Sequence, residues 1–150
     1  MLKYKKGNLV TAWLDGEVDV LIHQANCFNT FGSGIAKEIR ERIPGAYEAD
    51  CQTIKGATSK LGDFTVYSHE SGRLVYNLYG QYNYGREHQR YTSYTALFKG
   101  LLAIQEDLVR PLRIGIPKLG CGLGGGDWNI VEDFVKATIA QNNVVTVYEL

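Results

Sequence analysis

Two stretches of the chain hold the residue types from which a site would be built. The first, Ile116 to Asn129, sets Gly120, Gly122, Gly124, Gly125 and Gly126 between a short apolar run and a helical pattern. Glycines allow positive φ and close backbone approach, and the start of a following helix leaves N–H groups unpaired, so this junction suits an anion such as phosphate. Asp127 stands where the helix N-cap belongs, with a catalytic carboxylate as its alternative role. The second stretch, Gln24 to Gly34, is another loop with glycines and contains Asn26, Cys27, Gly32 and Ser33. His23 ends the apolar run before it, where its ring either titrates near neutrality as an acid or base or sits in the core against a carbonyl. Cys27 and Cys121 read as small packing residues rather than nucleophiles, and Tyr148, in the last apolar run, either stacks on a base or packs in the core.

Several chemistries are excluded. Gly120 to Gly125 satisfies G-x-G-x-x-G literally, but only one helix and one strand can follow it, whereas a dinucleotide fingerprint opens a two-halved sheet. No Gly-Lys-Ser or Gly-Lys-Thr follows a glycine loop, and no Ser-His-Asp or Cys-His arrangement is identifiable. Cys27, Cys51 and Cys121 lack metal-ligand spacing and are odd in number, which points to a reduced, cytoplasmic protein. Sixteen basic and sixteen acidic residues cancel, which argues against broad, charge-driven binding to nucleic acid or membrane. No apolar run approaches the roughly 20 residues that span a bilayer.

The elements that must position the loops follow from periodicity. Val18 to His23 is short, apolar and β-branched, as expected of a strand buried on both faces, and Ile35, Ala36, Ile39 and Ile43 then recur at helical spacing until Pro44-Gly45 interrupts. Asp63 to Ser68 and Arg73 to Tyr79 predict a hairpin. Gly80 to Arg90 reads as a long surface loop, and Thr92 or Ser93 caps a helix with Tyr94, Leu97, Phe98 and Leu101 on its apolar face. Leu112 to Ile116 and Val144 to Tyr148 read as further buried strands, Leu2 to Tyr4 as an opening one, and Gly7 to Val10 as a turn. Strands alternating with helices predict one domain over residues 1–150, a three-layer α/β/α sandwich with a mixed, largely parallel central sheet and both loops at the carboxyl edge of the strands.

Taken together, Gly7-Asn8-Leu9, the Val18 to Ala36 strand-loop-helix, Ile116 to Trp128 and the terminal Val147-Tyr148-Glu149-Leu150 resemble the macrodomain family over nearly the whole chain. The likeness is to short macrodomains that include ADP-ribose 1''-phosphate phosphatases and ADP-ribosyl glycohydrolases. It implies an ADP-ribose cleft with Gly7, Asn8 and Leu9 bordering the adenine, and Tyr148 and Leu150 against its ring. Leu119, Gly120, Cys121, Gly122, Leu123 and Gly124 would wrap the diphosphate, while Asn26, Gly32, Ser33, Gly34 and Ile35 would hold the distal ribose. His23 stands where the family often has asparagine, no lysine occurs in Leu78 to Arg90 where the lysine-dependent glycohydrolases carry theirs, and Gly124 replaces an aspartate found in one of them. The expectation is a monomeric, metal-free and cofactor-free hydrolase of ADP-ribose 1''-phosphate, with His23, Asn26 and Asp127 as candidate catalytic residues. Removal of ADP-ribose from protein or nucleic acid, and non-catalytic reading of ADP-ribosylation, are the alternatives.

Overall fold

A computed structural model describes all 150 residues. In chain order the elements are β1 (Leu2–Lys6), α1 (Leu9–Leu14), β2 (Val20–Ala25), α2 (Gly34–Arg42), α3 (Pro44–Cys51), a 3₁₀ turn (Thr58–Lys60), β3 (Phe64–Ser68), β4 (Leu74–Tyr79), α4 (Tyr94–Asp107), β5 (Arg113–Ile116), α5 (Trp128–Ala137) and β6 (Val144–Glu149). The strands form one six-stranded sheet in the order β1-β6-β5-β2-β4-β3. Every neighbouring pair is parallel except β3 with β4, which closes the predicted hairpin. The expected mixed, largely parallel sheet is therefore present, and β1, β6, β5 and β2 bring their carboxyl ends to one edge.

Alternation along the strands divides the core into two layers. Val20, Ile22, Ile114, Ile116, Val145 and Val147 pack under α4 and α5, against Leu97, Leu101, Ile104, Val131 and Val135. Leu21, Ala25, Val75, Tyr79 and Tyr148 face the other way, against Leu9, Val10 and Trp13 of α1, Ile39 of α2 and Ala46 of α3. Each fully buried aliphatic side chain of this kind contributes about 1.5–3 kcal/mol of transfer free energy.

Two expectations need correction here. Gly7 to Val10 is not a turn, because Asn8 caps a short helix: its Oδ1 accepts the Thr11 N–H at 2.8 Å. With Leu9, Val10, Ala12 and Trp13 all buried, α1 has too few turns and too little polar face to show a helical period. Pro44 does interrupt the helix before it, but as the first residue of α3, where its missing N–H costs nothing.

The second correction concerns His23. Its ring is fully buried on the α1–α3 side, with Nε2 2.6 Å from Asn77 Oδ1 and its edge against Phe31. Asn77, its register partner on β4, donates in turn to Ala46 O at 2.9 Å and Thr65 Oγ1 at 3.0 Å. Burial lowers the His23 pKa from 6.5 to about 4, opposed only by the Asn77 bond. The neutral ring donates to Asn77 and stays neutral through the physiological range. His23 is a core residue, and the acid or base role does not fit this position.

Since the unfolded ring takes up a proton near pH 6.5 and the folded ring only near pH 4, the unfolded state binds more protons between those values. Stability is thus retained above pH 6.5 and lost as pH falls toward 4, by ~3 kcal/mol in all. His23→Gln, which preserves a donor for Asn77 but does not titrate, is expected to flatten this part of the urea-midpoint-against-pH curve. Parallel curves for the two proteins would show that His23 is not the group responsible.

Candidate functional site

The carboxyl edge of the sheet opens into a cleft of about 510 Å³, within the range of ligand sites. One wall is the loop after β2 with the start of α2, from Asn26 and Thr30 to Ser33, Gly34, Ile35 and Ala36. The facing wall is the loop after β5, with Pro117, Lys118, Gly120, Gly122, Leu123 and Gly124. Gln24 and Gln81, with Tyr84, Gly85 and Arg86 from the segment after β4, also line it.

The loop after β5 is held in shape from three directions. Within itself, Gly126 N–H donates to Gly120 O at 2.8 Å and Gly125 N–H to Gly122 O at 3.1 Å. From the segment before α4, the N–H groups of Tyr91 and Thr92 both donate to Gly124 O, and Thr92 Oγ1 to Gly120 O at 2.8 Å. From β2, Gln24 Nε2 donates to Thr92 Oγ1 at 2.9 Å and to Gln81 Oε1 at 2.7 Å. Gly120 and Gly125 have φ of +71° and +74°, where an L side chain is strained, and a Cβ on Gly125 would lie 2.6 Å from Gln89 O. Gly122 is different, because a Cβ there meets nothing within 4 Å.

The expected anion site at the start of α5 is not the one the structure offers. Asp127 Oδ1 accepts the Asn129 N–H at 2.9 Å, so its own side chain caps that helix, and the Asp127 N–H goes to Tyr94 OH. Trp128 Nε1 donates to Tyr4 OH at 2.9 Å, tying the same turn to β1. Asp127 is a cap outside the cleft wall, not a catalytic carboxylate in it. The start of α2 does supply what was expected: Ser33 makes no side-chain cap bond, and the N–H groups of Ser33, Gly34, Ile35 and Ala36 donate to nothing in the protein. Across the cleft, the N–H groups of Gly122, Leu123 and Gly124 are likewise without acceptors. Two rows of free amides, one at a positive helix end, thus belong to residues that line one cleft.

Asn26 shapes the first wall. Its Oδ1 accepts the Phe28 N–H at 2.8 Å and its Nδ2 donates to Thr30 Oγ1 at 2.7 Å, leaving one amide N–H for a ligand. Beyond it the backbone turns through positive φ at Asn29 (+59°) and Phe31 (+38°). That path is fixed from behind by Lys60 Nζ, which donates to Asn29 Oδ1 at 2.9 Å and Thr53 Oγ1 at 2.8 Å, and by Tyr47 OH on Asn29 O. Asp50, fully buried below, accepts the Tyr79 hydroxyl at 2.6 Å, and burial raises its pKa.

Of the residues expected at the ligand, Asn26, Gly32, Ser33, Gly34, Ile35, Gly120, Gly122, Leu123 and Gly124 line the cleft together. Leu119 and Leu9 are instead core residues. Cys121 tucks its thiol toward Leu119 O, and burial with the nearby Asp127 charge pushes it up to about 11, so it is no nucleophile. Gly7, Asn8, Tyr148 and Leu150 lie farther along the edge at the ends of β1 and β6, outside the cleft wall; Tyr148 packs in the core and Leu150 is exposed. Between them and the cleft, Lys118 pairs with Glu149 at 2.9 Å. Sequence reasoning missed Gln24, Gln81, Thr92 and Arg86, because their roles come from contacts between loops distant in the chain.

The wall contains no aspartate, glutamate, histidine or cysteine, and its only cations are Arg86 and Lys118. It can bind anions and orient a ligand, and it offers no side chain for acid–base exchange near neutrality.

Comparison with known proteins agrees with the fold. A 17.5 kDa uncharacterized protein of the tk–vs intergenic region of phage T4 is 32% identical, over 98% of this chain and 96% of that one. The DNA ADP-ribosyl glycohydrolase of Mycobacterium tuberculosis is 27% identical over 94% of this chain, which spans only 39% of that longer protein. Thermosipho africanus DarTG, solved in complex with ADP-ribose, superposes with a TM-score of 0.73 at 17% identity, covering 99% of this chain and 42% of that one. With the Macro domain family model also matching residues 22–135, the chain belongs to the macrodomain family.

Proposed function

We propose that the cleft binds ADP-ribose and that the protein hydrolyses ADP-ribose 1''-phosphate to ADP-ribose and phosphate. The observation that carries this reading is the pair of free-amide rows, Ser33 to Ala36 and Gly122 to Gly124, set on opposite walls of one cleft. A diphosphate between them would accept from both rows and lie at the positive end of α2. The distal ribose would then reach Asn26, whose remaining N–H orients it, and any group on C1'' would lie toward Tyr84 to Arg86.

The carboxylate-free wall bears on the reaction. Ordinary glycoside hydrolysis uses two carboxylates, one to protonate the leaving group, and none lines this cleft. A phosphate leaving group carries its own negative charge and its own exchangeable proton, so positioning and electrostatic stabilisation can supply the catalysis. Release of ADP-ribose from a macromolecule is the second reading, favoured by the name of the mycobacterial relative. The experiment that separates them supplies the protein with ADP-ribose 1''-phosphate and, separately, with ADP-ribosylated DNA and protein, following free phosphate and free ADP-ribose. Phosphate from the first substrate is expected; free ADP-ribose from the macromolecules alone would transfer the assignment to the second reading.

Two variants test the geometry. Gly122→Val meets no protein atom but projects a branched side chain beside the free amides, so the melting temperature is expected to hold while ADP-ribose affinity falls by about tenfold or more. Unchanged affinity on calorimetry would remove the loop from the binding site. Asn26→Ala is expected to lower phosphate release by roughly a hundredfold, more than it lowers ADP-ribose affinity, since misplacing a reacting group by about 1 Å has that effect on rate. Equal losses in both measurements would make Asn26 a binding residue only.

A further inference from the structure

We infer that Arg86 is a catalytic residue that takes up the charge of the phosphate as it leaves C1'' of the distal ribose; this rests on the phosphatase reading above. Of the two cations in the cleft wall, Lys118 is already paired with Glu149 at 2.9 Å, whereas Arg86 takes part in none of the ion pairs of the protein. The segment that leads to it is docked, while the Arg86 side chain itself is exposed at the cleft. The Cys27 N–H donates to Tyr82 O at 3.0 Å, Tyr82 OH to Gly56 O at 2.9 Å, and Tyr84 sets its ring at an angle to Phe28, so the segment leading to Arg86 is docked on the loop that carries Asn26. Gly85 lies against the hydroxyl end of the Tyr91 side chain, so this loop also touches the segment before α4. Arg90, on the same loop, is occupied elsewhere, over the Tyr94 ring at 4.3 Å, and is not in the wall.

The residues present favour cleavage on the sugar side, which needs no proton at the breaking bond. Cleavage of the P–O bond would expel the sugar oxygen as an alkoxide in need of a proton, and with no carboxylic acid or imidazolium in the cleft wall that proton would have to come from the phosphoryl group itself. Cleavage of the C1''–O bond in the monoanion leaves the electron pair on a phosphate oxygen and expels HPO₄²⁻, whose added charge falls to the Arg86 guanidinium. The water oxygen forms the new bond to C1'' and gives its proton to the departing phosphate, so ADP-ribose and H₂PO₄⁻ result. Free phosphate passes between H₂PO₄⁻ and HPO₄²⁻ close to neutrality, so the departing ion is a competent base there.

The test uses ADP-ribose 1''-phosphate with wild type, Arg86→Gln and Arg90→Gln, reading phosphate release in ¹⁸O-enriched water and ADP-ribose affinity by calorimetry. Arg86→Gln is expected to lose about a hundredfold to a thousandfold in turnover, the effect of removing one such donor, with ADP-ribose affinity held within about threefold. Added guanidinium ion should restore part of that activity, Arg90→Gln should match wild type, and released phosphate should carry no ¹⁸O. Full turnover in Arg86→Gln, or a parallel loss of affinity and turnover, would overturn the catalytic role, and ¹⁸O in the phosphate would overturn the bond assignment. Absence of phosphate release by wild type that still binds ADP-ribose would instead remove the phosphatase reading on which the inference stands.

Discussion

Parallel pairing of β2 with β5, and of β5 with β6, is the constraint on which the rest of the molecule depends. Because each strand is entered from the same side, the loops after Ala25 and Ile116 must emerge together at the carboxyl edge. Neither loop is a site alone. The loop after β2 contributes a helix start without a cap, the loop after β5 contributes amides without acceptors, and the sheet register sets them face to face.

Holding those amides free has a structural cost that the surrounding residues offset. The loop after β5 fills its carbonyls with Thr92 and Tyr91 donors and closes on itself through Gly126, while the N–H groups of Gly122, Leu123 and Gly124 remain without acceptors. Behind the opposite wall, the positive φ angles at Asn29 and Phe31 persist because Lys60, Tyr47, Asp50 and Thr53 fix Asn29 on every side. Local strain of about 1–3 kcal/mol per residue is sustained where neighbours determine the path in this way. The acid and base candidates stand outside the walls: His23 and Asp50 are buried on the α1–α3 side, and Asp127 is spent on a helix cap, which leaves Arg86 and Lys118 as the charged side chains of the cleft. A cleft so constructed offers a ligand placement, the fixed partial charge of its amides and the full charge of Arg86.

Much of this architecture was legible in the residues. The apolar runs at Val18 to His23, Leu112 to Ile116 and Val144 to Tyr148 became β2, β5 and β6 within a residue or two, because strands buried on both faces leave no room for polar side chains. The Asp63 to Tyr79 hairpin and the caps at Ser93 and Asp127 were equally local, since each depends on residues only a few positions apart. Helix α1 was not legible, because six residues buried nearly all round carry no period.

What the sequence by itself determined was the set of elements, their alternation and the two glycine loops, all of which follow from local propensity and the spacing of apolar residues. Only the tertiary structure decided which groups face the ligand. His23 looked available for chemistry until Asn77 from β4 and Phe31 from the next loop enclosed it. The cap at Asp127 was expected, but that it leaves the start of α5 without room for an anion while Ser33, a good cap by type, leaves α2 uncapped was not. Arg86 and Thr92 belong to the site because a loop joining β4 to α4 folds across two others. Burial, hydrogen-bond partners and charge at a position are set by residues far away in the chain, and no local pattern encodes them.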